Sequence, residues 1–149
     1  MAPTGKTMEA GCPTLSFTSL AESWNRFIES FSLIWTMTGE GKILEVGCGS
    51  GALTIRSALT WPKAKVIGVD YWGAVYNYSK ALCEKNAASE GVASRCVFQH
   101  GDAKQLDFPD ESFDVVISSY VYHNVIGADM QKLLLESLRV LKKRRRLCT

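Results

Sequence analysis

Histidine is scarce in this chain of 149 residues, limited to His100 and His123, and the five cysteines contain no CxxC pair. Cys12, Cys48, Cys83, Cys96 and Cys148 are odd in number and widely spaced. That pattern argues against a disulfide framework or a structural zinc site, and no metal is expected. It fits reduced thiols in a cytoplasmic protein. No long apolar run is present: a stretch such as residues 31–35 is far too short to cross a bilayer. The N-terminus lacks a basic region followed by an apolar one, so neither a secretory leader nor a membrane partner is expected. A broad basic face is missing too. The formal charge is +2, and Arg144, Arg145 and Arg146 alone exceed it, leaving the body at −1. Nucleic acid is therefore disfavoured as a partner.

What is present is an ordinary globular composition, 46% hydrophobic and 21% charged, with four Trp, five Tyr and six Phe. Its length suits about one domain. Residues 1–14 carry Pro3, Gly5, Gly11 and Pro13 and read as a flexible tail, with one domain over 15–149. Ser19 and Glu22 fit a capping box. Behind it, Phe17, Leu20, Trp24, Phe27, Ile28, Phe31, Ile34 and Trp35 recur at helical spacing, a stripe expected to pack on a sheet. Strands are expected at residues 43–46, 64–69, 95–99 and 113–119. Helices are expected at 52 to about 59, at about 74–89 opened by Gly73, and at about 129–141, the last with Leu134, Leu138 and Leu141 on one face. Strands alternating with helices imply an α/β, doubly wound, mostly parallel sheet of about four strands.

Chemistry concentrates at the first strand's carboxyl end. The apolar run Ile43-Leu44-Glu45-Val46 feeds a turn with glycine at every second position, Gly47, Gly49 and Gly51. Glycine is needed where the backbone takes positive φ or where a ligand touches the main chain. Asp70 closes the second strand, and an acid there can accept hydrogen bonds from both hydroxyls of a ribose. Its plainer reading is a turn or cap residue. A glycine turn with such an acid marks an adenosine site and also fits an NAD-dependent oxidoreductase. Three details point elsewhere. The turn is GxGxG, not the GxGxxG suited to a pyrophosphate. Gly101-Asp102-Ala103 puts a second acid at the same edge, and the fourth strand ends in Ser118-Ser119-Tyr120.

Together these segments resemble class I S-adenosylmethionine-dependent methyltransferases. The matching stretches are ILEVGCGSG (43–51), VIGVD (66–70), GDA (101–103), LDFPDESFDVVIS (106–118), YHNV (122–125) and LRVLK (138–142), in the family's order and spacing. The resemblance implies a Rossmann-like fold, S-adenosyl-L-methionine as cofactor, and methyl transfer to a small-molecule acceptor. It implies that Gly47, Gly49 and Gly51, with Cys48 and Ser50 between them, approach the methionine and ribose. Glu45 would orient the methionine amino group through water, and Asp70 would bind the ribose hydroxyls. Tyr71 or Trp72 would pack on adenine, Asp102 and Ala103 would bind its polar edge, and Ser119 and Tyr120 would border the methyl. Methyl transfer needs mainly an acceptor held in line with the S–CH₃ bond, and a base only if the acceptor must lose a proton. His123 is the candidate base, its plainer reading being a structural histidine at the sheet edge. Cys48 reads as a packing residue, and Tyr76, Tyr78 and Tyr122 as core or rim.

The chain departs from the family after LRVLK, where a glycine turn and a fifth strand usually follow. Here the text runs Lys143-Arg144-Arg145-Arg146-Leu147-Cys148-Thr149. Three readings stand: a basic interaction tail or nuclear signal over 142–146, a solvated charge run ending a helix, or a one-base frame change. One codon choice for residues 144–149, shifted by a base, reads Gly-Gly-Val-Phe-Ala, a family-like turn and strand. The expectation is a domain incomplete on its C-terminal side, truncated after the fourth strand and its helix. The fourth strand would then be an open apolar edge, suited to self-association. That yields an alternative function, a non-catalytic binding or interaction protein acting through that edge or the basic tail.

Overall fold

Four strands and three helices make up the part of the chain described by the computed structural model, which covers residues 40–74, 77–119, 127 and 129–143. They run β1 (Glu40–Val46), α1 (Ala52–Thr60), β2 (Lys63–Asp70), α2 (Lys80–Ser89), β3 (Cys96–His100), β4 (Val115–Ser118) and α3 (Met130–Val140). The expected tail, the capping box at Ser19, the aromatic stripe, Tyr76, Tyr120, Tyr122, His123 and the terminal arginines lie outside the described residues.

The sheet has the order β3-β2-β1-β4 and every pairing is parallel. The chain winds outward from β1 to β3, then returns to β1's free side as β4. This reversal opens a crevice at the carboxyl ends, where open α/β sheets bind ligands. Register aligns those ends: Val46 lies opposite Val69 and Ser118, and Asp70 opposite His100. Alternation along β1 serves both faces. Leu44 and Val46 join Val69, Leu106, Phe113 and Val140 on the side of α3. Glu45, pointing the other way, meets Thr54 of α1. Ile43, Leu44, Val46 and Val66 are essentially sealed from solvent, and such side chains each stabilise the fold by roughly 2 kcal/mol.

Three sequence expectations are corrected. First, α2 begins at Lys80, not near Ala74. Ser79 caps it, its Oγ accepting from Leu82 N at 3.2 Å. Ser79 itself is extended, with φ −156° and ψ 160°, which ends any helix running into it from upstream. Second, Phe113 lies outside β4. It pairs with Leu141, and its N–H donates to Val140 O at 3.0 Å. Third, α3 buries Leu133, Ser137 and Val140, whereas Leu134 and Leu138 stand about half exposed. The run Leu133-Leu134-Leu135 offers more than one apolar face, so polar anchors set the rotation. Arg139 donates to Leu106 O at 2.9 Å and Phe108 O at 2.8 Å, and Glu136 Oε1 accepts from Leu106 N at 2.8 Å. This explains why LDFPDESFD and LRVLK occur together: the arginine of one satisfies carbonyls of the other.

Candidate functional site

The β1–α1 turn is built on left-handed backbone. Gly47, Gly49 and Gly51 have φ of 78°, 52° and 82°, a region that side chains other than glycine rarely enter. At Gly51 space is closed as well: a Cβ would lie 2.8 Å from the Phe98 ring and 3.2 Å from Cys83 Cβ. The turn is stitched to β2, since Gly47 N and Cys48 N both donate to Val69 O, at 2.7 and 3.0 Å. From α2, Asn86 Nδ2 donates to Ser50 O at 3.1 Å.

Gly51 caps α1 with no side chain of its own. Glu45 compensates from the neighbouring strand. Its carboxylate accepts from the Thr54 hydroxyl and from the Thr54 backbone N–H in the helix's first turn. Gly68 makes the approach feasible, because a Cβ there would sit 2.7 Å from Thr54 Oγ1. Burial pushes the Glu45 carboxyl up to about 7, against the two bonds from Thr54 that favour its charged form. The site thus contains an acid that titrates near neutrality beneath the glycine turn. Cys48 is buried, and its thiol is pushed up by a hydrogen bond shared with Cys83 and by burial. Such a thiol is a packing group and not a nucleophile.

Asp70 sits half-buried at the tip of β2. One oxygen accepts from Gly49 N at 2.8 Å, the other from Trp72 N at 2.7 Å. Trp72 also donates its indole Nε1–H to Gly49 O at 2.9 Å. Tyr71 points outward, 65% exposed, with its ring 5.0 Å from that of His100. The next strand end is close: Gly101 N donates to Asp70 O at 3.0 Å. Asp102 is exposed and folds into a turn in which its Oδ1 accepts from Lys104 N at 2.9 Å. Ala103 packs against the core. Ser118 Oγ donates to Val46 O at 2.9 Å, tying β4 to β1, and leaves Ser119 next in line at the edge.

The structure therefore gathers Glu45, the residues from Gly47 to Gly51, Asp70, Tyr71, Trp72, Asp102, Ala103 and Ser119 at one rim. Thr54, Cys83 and Asn86 were missed in the sequence, since a helix-borne threonine, cysteine or asparagine carries no mark of the loop it supports. Tyr78 is expected at the core or the rim. It lies at the rim, its ring placed 3.6 Å from where a Cβ on Gly49 would be. Among the described residues no cluster of His, Cys, Asp and Glu could hold a metal ion, and no helix is long and apolar enough to cross a membrane.

The rim fits an adenosyl sulfonium on chemical grounds. Each Asp70 oxygen has spent one lone-pair direction on a backbone N–H and keeps another for a hydroxyl. Two acids, Asp70 and Asp102, stand at neighbouring strand ends, and a third, Glu45, lies buried beneath the glycine turn. None of the three forms a salt bridge among the described residues.

Comparison with known proteins agrees. Residues 44–149 match the family described as "Methyltransferase domain". The demethylmenaquinone methyltransferase of Symbiobacterium thermophilum is 32% identical over 123 residues, 82% of this chain and 47% of that protein. The crystal structure of YcgJ from Bacillus subtilis shares 30% identity and a TM-score of 0.63, covering 83% of this chain and 47% of the other. Protein MMP1179 of Methanococcus maripaludis, assigned as an S-adenosyl-L-methionine-dependent methyltransferase, aligns with a TM-score of 0.72 at 22% identity, over 87% and 55% of the two chains. The chain spans under half the length of the curated relatives it matches. The four-stranded parallel sheet is the Rossmann-like arrangement expected, and the oxidoreductase reading with NAD gives way. This chain belongs to the methyltransferase-domain family, whose cofactor is S-adenosyl-L-methionine.

Proposed function

We propose that this chain binds S-adenosyl-L-methionine at the carboxyl ends of β1, β2 and β3 and takes part in methyl transfer to a small-molecule acceptor. The cofactor supplies an electrophilic methyl on its sulfonium. The chain's residues bind, orient and exclude water. One observation carries the reading: the Asp70 carboxylate is held by Gly49 N and Trp72 N beside three left-handed glycines, with a hydroxyl-accepting direction left on each oxygen. Asp70 binds the ribose, Tyr71 packs on adenine, and Asp102 with the Ala103 amide reads its polar edge. Gly47, Cys48, Gly49, Ser50 and Gly51 pass under the methionine and ribose. Glu45 acts on the amino group through water, because its own carboxylate lies buried on Thr54. Ser119 and Tyr120 border the methyl. A small acceptor is supported by the likeness to a demethylmenaquinone methyltransferase.

Calorimetry with the cofactor on the whole chain and on Asp70→Ala tests this. Affinity should drop about tenfold or more in the variant, as expected for two lost hydrogen bonds of roughly 1 kcal/mol each. Equal affinity for both proteins defeats the ribose assignment. His123 is proposed as the base for an acceptor that must lose a proton. His123→Ala should then lower kcat while leaving cofactor affinity unchanged.

A second reading, an interaction protein without turnover, draws on the exposed Met130, Leu134, Leu135 and Leu138 of α3. Methyl transfer together with the mass in solution separates the two: an obligate dimer that turns over no acceptor favours the second.

A further inference from the structure

Trp72 lies in the site yet is poorly placed as an adenine platform, and its bonding shows a different task. It is a large non-glycine residue held at φ 43. Backbone in that region persists only where its surroundings over-determine it, and such residues cluster at ligand sites. Trp72 gives away two hydrogen bonds, both to the machinery of ribose binding. Its backbone N–H goes to Asp70 Oδ1 at 2.7 Å and its indole N–H to Gly49 O at 2.9 Å. Gly49 N in turn donates to Asp70 Oδ2 at 2.8 Å. A closed ring results, in which the acid, the middle glycine and the tryptophan each bond to the other two. The Cys83 thiol reinforces it by donating to the same Gly49 carbonyl at 3.2 Å.

We infer that Trp72 is a positioning residue: it clamps Gly49 at its carbonyl and Asp70 at one oxygen, fixing the carboxylate for a pair of ribose hydroxyls. The inference rests on the proposed adenosyl site and deepens it. Without the indole N–H, the Gly49 carbonyl keeps only the Cys83 thiol, the left-handed turn at Gly49 loosens, and the Gly49 N–H on the preceding peptide holds Asp70 Oδ2 less firmly. A carboxylate free to swing meets both hydroxyls less often, and the loss falls on the ribose. An indole pinned at its nitrogen to the turn cannot also swing out as a stacking surface. That task is left to the exposed ring of Tyr71, beside His100.

The test uses the whole chain, Trp72→Phe and Tyr71→Ala, with S-adenosylhomocysteine and its 2′-deoxyribose analogue as probes in calorimetry. Phenylalanine keeps an aromatic face and loses the donor together with the five-membered ring. Trp72→Phe should bind S-adenosylhomocysteine about tenfold more weakly, a difference worth 1.4 kcal/mol, and the deoxy analogue nearly as well as the unaltered chain does. Tyr71→Ala should weaken both probes alike. The inference is overturned if Trp72→Phe keeps full affinity, the result for a stacking platform, or if it weakens both probes equally, the result for a merely structural side chain. Failure of the unaltered chain to bind either probe would remove the adenosyl site itself, and this inference with it. Should Trp72→Phe not fold, hydrogen exchange on the unaltered, unliganded chain decides: the Trp72 indole N–H and the Gly49 amide should both be protected, and fast exchange at either overturns the clamp.

Discussion

The glycine turn and the outer face of α3 stand in contrast. At the turn, polar groups from four elements interlock within a few ångströms: Glu45 on Thr54, Asp70 on Gly49 and Trp72, Asn86 on Ser50. On α3 one face is sealed at Leu133 and Val140, while Met130, Leu134, Leu135 and Leu138 meet solvent. The first region is rigid because each group has a directional partner, so its geometry admits few substitutions. The second is apolar without a described partner, and its geometry is indifferent to the identity of the exposed side chains. Folding alone explains the first region's hydrogen bonds only in part, since several of them aim at groups with bonding capacity left over. A surplus of oriented acceptors is what a ligand site requires.

The contrast predicts effects of very different size. The largest should come from Gly51→Val, which combines a forbidden φ with a clash against Phe98 and Cys83. About 4 kcal/mol of stability should be lost, read from urea midpoints. Next comes pH. The Glu45 carboxyl lies at about 7 when folded against an ordinary value of 4.5. Between those values the native state binds more protons than the unfolded chain, so stability falls as pH rises and the loss is complete above about 7. A shift of that size is worth roughly 3 kcal/mol. Urea titrations from pH 4 to 8 should show the decline, and Glu45→Gln should flatten it. A cationic amino group near this carboxylate favours its charged form, so cofactor affinity should rise with pH over the same window.

On α3 the two faces should part company. Leu133→Ala should lose about 3 kcal/mol, whereas Leu134→Gln and Leu138→Gln should each stay within about 0.5 kcal/mol. A large loss from either exposed position would mean that this face is covered in the folded chain, and the contrast would collapse. Between these two extremes should fall Arg139→Lys. Lysine retains the charge but cannot span Leu106 O, Phe108 O and Glu136 together. A slightly lowered melting temperature, with hydrogen exchange faster at the Leu106 amide than elsewhere, is the expected outcome.

Much of this was legible in the residues. The run Ile43-Leu44-Glu45-Val46, the alternate glycines and the acid of VIGVD specify a buried strand, a left-handed turn and a strand-end carboxylate, because each depends on a local property: apolarity, a missing Cβ, a charge at an element's end. The same reasoning misjudged the start of α2 and left open which face of α3 is buried. The helix expected from about Ala74 starts only after Ser79, whose extended backbone and side-chain cap fix the first turn at Lys80. Three consecutive leucines cannot say which of them faces the sheet, and the choice fell to Glu136 and Arg139, bonded to a loop some thirty residues away.

By itself the sequence determined the order of strands and helices, the end of the sheet at which chemistry gathers, and the family and cofactor class, since these follow from patterns confined to short stretches. The tertiary structure alone decided that Glu45 caps α1 through Thr54, that Trp72 closes on Gly49, and that α3 turns Leu133 inward. These are contacts between residues far apart in the chain, and no local preference encodes a partner that only packing brings within bonding distance.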